Sequence, residues 1–472
     1  MQDVEIDRIV AEVVRRIREE EKSVSSISDD NLSDRWDIDS LVKRSKIAQE
    51  RFRELGLEAR KRAIRAMRCA IIEHADELGK MAVSETSLGK MPDKREKILL
   101  AVNKTPGVED ISTRTFSGDN GLAIEEPAPY GVVLSITPST NPPSTIVNNS
   151  ISNIAAGNSI IFQPHPSAKN VSRKTADILR DAVASENIPA DVILCVPEPT
   201  LDTAKELLHH PGVDLVVVTG GMGVVNAAMN CGKKAICAGP GNPPVVVDET
   251  ADIENAAKYI VAGASFDNGI LCTAEKEVFV VESVADELIR QMQSAGAFLL
   301  SPPDAEKIVK MVIESDPEGK GERHPVVNKK FVGKNASEIA KSAGIDVGDA
   351  PLLFFETVWD NAMVMAEQLM PVLPVVRVPN VDEAIRLAVL VEHKFRHTFI
   401  MHSKNIENLS KMAKLCNGNI FVKNGPSFAG LGYNGEGHTT LTIAGTTGEG
   451  LTSARSFTRP RRCTLVDYFR IV

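Results

Sequence analysis

The side chain with the clearest chemical potential is the thiol of Cys272. It ends the polar, turn-prone stretch 265–271 and lies a few residues before the apolar run 278–281. A loop gives a substrate access, and a strand behind it fixes the position of the side chain. A thiol carries a small fraction of thiolate at neutral pH and adds readily to an aldehyde carbon, after which the adduct can be oxidised to a thioester. The pattern indicates a cysteine nucleophile, and the activity then depends on what releases the thioester.

The other cysteines lie in different settings. Cys69 belongs to an amphipathic helical pattern and Cys195 is flanked by Leu194 and Val196, so both are predicted to be small buried hydrophobes. The total of seven is odd and no C-x-x-C pair occurs. This usage is typical of a reducing cytoplasm, without a disulfide framework or a zinc ribbon.

Asn141 is a candidate partner for the thiol. It lies in the proline-flanked loop 137–143, after a strand predicted to end at Ile136. The prolines stiffen the loop, and a fixed side-chain amide can donate to the oxyanion that forms when a thiol attacks a carbonyl. The alternative is that Asn141 only caps the helix that follows.

A glycine turn at Gly220 and Gly221 separates a predicted strand, residues 214–219, from a helical pattern. The N-terminus of a helix behind such a turn presents free N–H groups to a phosphate; a tight turn without a ligand is the alternative. The G-x-G-x-x-G pattern at 430–435 is followed by no helical pattern and is interpreted as a decoy loop. His393 and His397 have i, i+4 spacing but no third ligand pattern, so no metal is expected.

Composition limits the class of protein. The 472 residues are enough for two or three domains, and 63 acidic against 54 basic residues give a formal net charge of −9. An acidic chain is a poor candidate for binding nucleic acid. No apolar run approaches the roughly 20 residues needed to cross a bilayer, and charges near the N-terminus make export unexpected.

The elements that must position these residues alternate. Residues 37–104 have a helical pattern, residues 113–127 form an extended arm, and strands and helices alternate from Tyr130 onward, which predicts parallel sheets with helices on both faces. A second alternating region begins at Pro244 and includes a helix over 304–314. The basic segment 455–463 is predicted to be a strand whose arginines pair with Glu125 and Glu126, possibly across subunits, with anion binding as the alternative.

Residues 1–20 carry apolar side chains at helical spacing, with charged residues largely on the other side, and a Ser-rich linker follows. A short helix on a tether buries its apolar stripe less easily than an integrated helix does. It is interpreted as a docking tail for another protein, with local or oligomeric packing as the alternative.

Taken together, these motifs resemble the aldehyde dehydrogenase superfamily, and most closely its CoA-acylating branch of the ethanolamine- and propanediol-utilisation type. The resemblance covers residues 38–472. It rests on the segments 136–142 (ITPSTNP), 164–169 (PHPSAK), 219–221 (TGG), 238–244 (AGPGNPP), 267–272 (DNGILC) and 367–372 (EQLMPV).

The resemblance implies roles for single residues. Cys272 would be the nucleophile, and Asn141 would form the oxyanion hole with the Cys272 backbone N–H. Glu367 would hold the nicotinamide ribose. The residues implied to line the rest of the NAD site are Thr137, Pro138, Thr219, Gly220 and Gly221.

It also implies an α/β fold with several parts. A parallel-sheet NAD-binding domain would comprise residues 38–111 and 129–238, and an α/β catalytic domain residues 239–449. Residues 112–128 and 450–472 would form a β-arm that builds homodimers or homotetramers. Residues 1–20 would be a tail that directs the enzyme into a bacterial microcompartment by binding a shell or core protein, after the linker 21–37.

Two departures from the wider superfamily bear on the reaction. Hydrolytic members carry a general-base glutamate in an E-L-G-G motif, whereas the matching stretch here, 236–241, has no carboxylate. Water needs a base to attack a thioester, while CoA, whose thiol pKa is near that of cysteine, needs much less help. The lysine that usually contacts the adenosine ribose is Gln163 here, which leaves the choice between NAD and NADP open.

The expected reaction is therefore short-chain aldehyde, acetaldehyde or propionaldehyde, plus CoA and NAD⁺ to acyl-CoA and NADH. A hydrolytic dehydrogenase that releases the free acid is the alternative, and a catalytically idle scaffold is a third. The expected location is the cytoplasm, inside a microcompartment, with neither nucleic acid nor membrane as a partner.

Overall fold

The computed structural model describes residues 37–314 and 325–471. The predicted docking tail, residues 1–20, and the linker up to residue 36 lie outside the described residues. The α-helices are α1 (Ile38–Arg53), α2 (Gly56–Thr86), α3 (Met91–Lys104), α4 (Pro142–Ala156), α5 (Lys169–Ala184), α6 (Leu201–His209), α7 (Met222–Met229), α8 (Ile253–Ser265), α9 (Glu282–Ser294), α10 (Pro302–Val312), α11 (Ala336–Ser342), α12 (Val381–Val391) and α13 (Ile406–Cys416).

The strands alternate with these helices along most of the chain. They are β1 (Arg114–Gly118), β2 (Gly121–Pro129), β3 (Val132–Thr137), β4 (Ser159–Pro164), β5 (Ile193–Cys195), β6 (Leu215–Thr219), β7 (Lys234–Ala238), β8 (Pro244–Val247), β9 (Glu277–Val281), β10 (Phe298–Leu299), β11 (Ile313–Glu314), β12 (Val326–Val327), β13 (Leu353–Thr357), β14 (Val372–Val378), β15 (Thr398–His402), β16 (Ile420–Lys423), β17 (Ile443–Ala444), β18 (Gly450–Leu451) and β19 (Thr458–Val466).

The first sheet has five parallel strands in the order β5-β4-β3-β6-β7. Its strands are almost wholly buried, because alternate residues face helices on opposite sides. Val133 packs with α2, α4 and α5 on one face, and Leu134 packs with α1, α6 and α7 on the other. The winding reverses between β3 and β6, so the carboxyl ends of these two strands border a crevice of the kind in which open α/β sheets bind ligands.

The second sheet has seven parallel strands in the order β10-β13-β14-β9-β8-β15-β16. Helices α8 and α9 cover one face, and α12 and α13 cover the other. Both sheets are therefore three-layered, as the alternation of strands and helices predicted. The domain boundaries drawn from the sequence stay a prediction.

A three-stranded antiparallel arm, β1-β2-β19, projects from these layers. Its register places Arg461 opposite Glu126 and Arg462 opposite Glu125, and Arg462 forms an ion pair with Glu125. The prediction that the basic C-terminal strand pairs with these acids is confirmed within one chain. Exposed pairs of this kind contribute about 0–1 kcal/mol, so the strand pairing itself holds the arm together.

Two local expectations were wrong. Cys69 is exposed and not a buried hydrophobe, because it lies on the solvent side of α2. Cys195 is partly buried, so the prediction of a buried position holds only in part for it. The helix predicted over 304–314 ends at Val312, since Ile313 has the extended angles φ −103° and ψ 122° and pairs with Val327.

Candidate active site

Cys272 lies between the 3₁₀ turn Phe266–Gly269 and strand β9, as the sequence predicted. Three consecutive residues of that turn, Asp267, Asn268 and Gly269, have positive φ angles of 46°, 57° and 69°. Left-handed angles are costly for non-glycine residues and persist only where surrounding contacts hold them. The thiol is therefore carried on a strained turn, backed by the first residues of a buried strand.

Burial raises the pKa of the Cys272 thiol to about 12, and the charge of Glu367 acts in the same direction, against the charges of Lys276 and Lys97. At neutral pH the thiol is then almost wholly protonated. Cys272 therefore does not supply an appreciable fraction of thiolate by itself at neutral pH. The thiol has to pass its proton to a neighbouring group when it attacks.

Glu367 is the carboxylate whose charge reaches the thiol. Burial raises its pKa to about 7, against the charge of Lys276 and a hydrogen bond from the Gly241 N–H, which lies 3.1 Å from Oε1. At neutral pH the carboxyl is partly ionised, so it can accept the proton of the thiol. The structure thus places Glu367 within electrostatic reach of Cys272, although the two are 95 residues apart in the chain.

Gly241 lies against three parts of the site: the Cys272 loop, the His397 ring and the Glu367 carboxylate. A Cβ atom at this position would lie 2.7 Å from the carbonyl oxygen of Cys272 and 2.9 Å from Cγ of His397. Only a residue without a side chain allows the nucleophile loop and the imidazole to approach this close. Gly241 belongs to the stretch 236–241, where the structure places β7 and the following loop and the sequence has no carboxylate.

Asn141 occupies the N-cap position of α4, but its side chain makes no capping hydrogen bond. Its Oδ1 accepts a hydrogen bond from Lys97 Nζ, and its Nδ2 lies 3.2 Å from Thr140 Oγ1. The simple capping alternative is therefore wrong. The side chain is held by a lysine from α3, more than forty residues earlier.

The glycine turn and the β3 loop meet at the crevice of the first sheet. Thr137 ends β3, and its buried Oγ1 has no hydrogen-bond partner among the described residues. Thr219 ends β6 and its Oγ1 lies 2.9 Å from Thr442 Oγ1. Gly221 is the N-cap of α7, and a Cβ there would meet nothing within 4 Å. An unpaired hydroxyl, an open glycine turn and a helix N-terminus fit the phosphate and ribose groups of a dinucleotide.

The structure brings Thr137, Pro138, Thr219, Gly220 and Gly221 to one edge of the first sheet, at the ends of its adjacent strands β3 and β6. Gln163 lies one strand further, where its Nε2 donates to the carbonyl of Thr200 and to Thr203 Oγ1, both at 3.0 Å. Its amide is therefore engaged in capping the start of α6.

Several charged residues of the site were missed by the sequence reasoning. Lys276 is buried, and its Nζ donates to the carbonyl of Gly269 at 2.6 Å, so it ties the turn to β9. Burial lowers its pKa, against the charge of Glu367. The sequence did contain a signal for Lys276, which directly precedes an apolar strand. An ammonium group buried at such a position has to be paired or hydrogen-bonded, which points to a site.

His397 was considered only as a metal ligand, and the structure gives it another setting. Its Nδ1 lies 2.9 Å from Thr398 Oγ1, while its buried Nε2 has no partner among the described residues. Burial lowers its pKa to about 4, and the charge of Lys276 adds to this, so the ring is neutral at pH 7 and is a weaker base than a free imidazole. Residues 393–397 are not helical, so His393 and His397 share no helix face.

In the described part of the chain, no group of three or more His, Cys, Asp or Glu side chains is placed to hold a metal ion. Among the described helices none is both long and apolar enough to cross a membrane.

Residues 18–429 match the model of the aldehyde dehydrogenase family. The acetaldehyde dehydrogenase (acetylating) EutE of Salmonella typhimurium is 47% identical over 475 residues, 100% of each chain. The solved structure of Rhodopseudomonas palustris propionaldehyde dehydrogenase with bound CoA and an acylated cysteine is 44% identical, with a TM-score of 0.87 and coverage of 91% of this chain and 97% of that chain. A propionaldehyde dehydrogenase from the Clostridium phytofermentans fucose utilisation bacterial microcompartment is 41% identical, with a TM-score of 0.89 and coverage of 92% and 99%.

The chain belongs to the aldehyde dehydrogenase family. Within it, the similarity is to CoA-acylating dehydrogenases of acetaldehyde and propionaldehyde, and the predicted family and α/β fold are confirmed. The roles assigned to individual site residues remain predictions.

Proposed function

We propose that this chain is a CoA-acylating aldehyde dehydrogenase that converts a short-chain aldehyde, CoA and NAD⁺ to acyl-CoA and NADH. Relatives named for acetylating or propionaldehyde dehydrogenase activity, similar over nearly the whole chain, support this reaction class. The observation that carries the proposal is the surrounding of Cys272. Cys272 is partly buried and its backbone carbonyl packs against Gly241, whose stretch 236–241 has no carboxylate to activate water.

In the first half of the reaction, Cys272 Sγ forms a bond to the aldehyde carbon. The thiol proton passes to Glu367, whose pKa of about 7 suits an acceptor at neutral pH. Nδ2 of Asn141 and the N–H of Cys272 donate to the oxygen, which becomes negatively charged. Such donors are effective because they are already oriented before the charge develops.

NAD⁺ would be held by Thr137, Pro138, Thr219, Gly220 and Gly221 at the crevice between β3 and β6, with Glu367 holding the nicotinamide ribose. When bound, it supplies the hydride acceptor that the oxidation requires. The unpaired Thr137 hydroxyl and the open space at Gly221 support this placement. Gln163 is bonded to Thr200 and Thr203, so adenosine recognition would use other groups or a rearranged Gln163.

In the second half, the sulfur of CoA attacks the thioester carbon and Cys272 leaves as the thiolate. His397 is neutral, has an unpaired Nε2 and contacts the same Gly241 as the Cys272 carbonyl, which supports its assignment as the acceptor of the CoA thiol proton. Water would need a stronger base than CoA does. The arrangement therefore favours thiolysis over hydrolysis.

The test is NADH formation by the purified full chain with and without CoA, over a series of C2 to C5 aldehydes, with acyl-CoA measured by chromatography. Without CoA we expect one burst of NADH, equal to the number of Cys272 sites, and then almost no turnover. Steady NADH production without CoA, accompanied by free acid, would instead identify the hydrolytic enzyme. A folded protein that forms neither acyl-CoA nor free acid would favour the catalytically idle scaffold.

The placement of the enzyme in the cell and its assembly are further parts of the proposal. Residues 1–20 would dock to a shell or core protein of a bacterial microcompartment, and the β1-β2-β19 arm would join subunits into a homodimer or homotetramer. The microcompartment origin of one similar structure supports the first, and the exposure of the arm supports the second.

Docking can be tested with a fluorescent fusion in a microcompartment-forming cell. Replacing Ile9 of the apolar stripe by Glu should disperse the fluorescence, whereas Arg8→Glu on the charged side should not, and both should keep full acyl-CoA formation in vitro. Retained foci for Ile9→Glu would show that the stripe does not dock. Light scattering of the purified chain measures the oligomer.

A further inference from the structure

A buried cluster of charges lies beneath Asn141. Lys94 and Lys97 are one turn apart on α3, each is 2% exposed, and both ammonium groups approach Oδ2 of the fully buried Asp267. The cluster places two lysines against one carboxylate. Burying an unpaired charge is costly, so we expect the second lysine to make a contact other than its ion pair with Asp267.

Asp267 does not need both lysines. Lys94 Nζ lies 3.1 Å from Oδ2, and the backbone N–H of Lys90 donates to Oδ1 at 2.8 Å. The two ammonium groups also repel each other: burial, and then the charge of Lys97, lowers the pKa of Lys94 to about 7.

The contact that distinguishes the two lysines is Asn141. Lys94 Nζ donates to the backbone carbonyl of Thr140 at 2.5 Å, whereas Lys97 Nζ donates to Oδ1 of the Asn141 side chain. An ammonium group has only donors, so it can face the oxygen of the amide but not its NH₂ group. If the Asn141 amide rotated by 180°, its NH₂ group would face the Lys97 ammonium, and two donors would then meet in a buried site.

We propose that Lys97 is a positioning residue that holds the Asn141 amide in the one orientation in which its nitrogen can donate to the oxyanion. Asp267 fixes the ammonium in turn and lies five residues before Cys272 on the same strained turn. The oxyanion donor and the nucleophile are thus connected through a single lysine. The inference rests on the proposed function, in which Asn141 stabilises the oxyanion.

The test is a double-mutant cycle of Lys97→Met and Asn141→Ala in the full chain. The rate measured is the NADH burst with propionaldehyde and NAD⁺ in the absence of CoA, which reports acylation alone. We expect Asn141→Ala to slow the burst about 10²- to 10³-fold, the usual effect of removing one oxyanion donor. Lys97→Met should slow it about 10- to 10²-fold, since the amide becomes free to turn.

The decisive result is the double variant. If Lys97 acts through Asn141, Lys97→Met costs nothing further once the amide is gone, and the double variant is as fast as Asn141→Ala alone. If the two losses multiply, Lys97 acts on the fold or on the thiol and the inference is wrong. A wild-type burst rate for Lys97→Met also overturns it.

Lys94→Met is the matched control. It removes the same charge, one turn away, from the same carboxylate, but its ammonium touches Thr140 and not the Asn141 side chain. Any loss it causes should persist in the Asn141→Ala background. A loss as large as that of Lys97→Met, which also disappears in that background, would assign the effect to the charge of the cluster and overturn the inference.

Two further measurements separate the possible failures. Thermal unfolding identifies a variant that does not fold, in which case Lys97→Gln, which keeps a donor group, replaces Lys97→Met under the same criterion. Acyl-CoA formation by the wild-type chain tests the proposed function by itself. If wild type makes acyl-CoA and Asn141→Ala acylates as fast as wild type, only the role of Asn141, and with it this inference, fails.

Discussion

Replacing Gly241 by alanine should slow the chemistry of Cys272 without unfolding the protein. The added Cβ would lie 2.7 Å from the carbonyl oxygen of Cys272, whereas ordinary contacts begin at 3.4 Å, so the two must separate by about 0.7 Å (3.4 − 2.7). The obstacle is backbone, so no side-chain rotation relieves it. A displacement near 1 Å in a reacting group costs about 10²-fold in rate, while overpacking costs about 1–3 kcal/mol of stability.

The assay is the NADH burst together with thermal unfolding, and Gly118→Ala is the control. A Cβ at Gly118 meets nothing within 4 Å, and the residue lies on the exposed arm, so this variant should keep the wild-type burst. We expect Gly241→Ala to fold and to lose about 10²-fold in burst rate. A wild-type burst rate in a folded Gly241→Ala protein would refute the close packing of the thiol loop against this glycine.

Other measurements test the site and the fold. Cys272→Ala should abolish acyl-CoA formation and the acyl adduct that mass spectrometry finds on the peptide around position 272; an adduct on another peptide would move the nucleophile elsewhere. Because the Cys272 pKa is about 12, iodoacetamide labelling of that peptide should rise about tenfold per pH unit between pH 7 and 9, and Glu367→Gln should increase it most above pH 7, where Glu367 is ionised; a plateau below pH 9 would contradict the burial argument. Burial raises the pKa of Asp191, but its hydrogen bonds and ion pairs with Arg44 and Arg180 outweigh burial and lower it overall, so Asp191→Asn should cost about 1–2 kcal/mol at pH 7. Since the folded pKa is below the unfolded one, that difference is present above about pH 4 and is lost as the pH falls through the folded pKa; a difference that persists in acid, measured by urea unfolding, would contradict this assignment.

Local patterns predicted much of the fold. The strand, glycine turn and helix around Gly221 appear where the sequence placed them. The pairing of the C-terminal arginines with Glu125 and Glu126 also followed from complementary charges in two extended segments. These elements were predictable because periodicity and turn residues act over short stretches of chain.

The interior of the site was not predictable in the same way. Lys97 meets Asp267 across 170 residues, and Glu367 meets the Gly241 N–H across 126. No local pattern encodes such contacts, because the three-layer packing brings distant segments together. The spacing of His393 and His397 was misleading for a related reason: an i, i+4 pair shares a face only in a helix, and this segment is not one.

The burial that makes the Cys272 thiol reluctant to ionise also explains why CoA is the better second nucleophile. A low-dielectric site disfavours every charged species, including hydroxide and the anion formed when water attacks without a base. The stretch 236–241 itself supplies no carboxylate to offset this penalty for water. The carboxylate beside it is Glu367, whose Oε1 accepts from the Gly241 N–H, and we propose that it takes the Cys272 thiol proton and holds the nicotinamide ribose. CoA has a thiol pKa near 8.5 and needs less help than water to lose its proton, and we propose that the weakly basic imidazole of His397 accepts it. The same burial thus protects the thioester from water and leaves it open to a thiol, so the rate of the release step depends on the group that takes the proton of CoA.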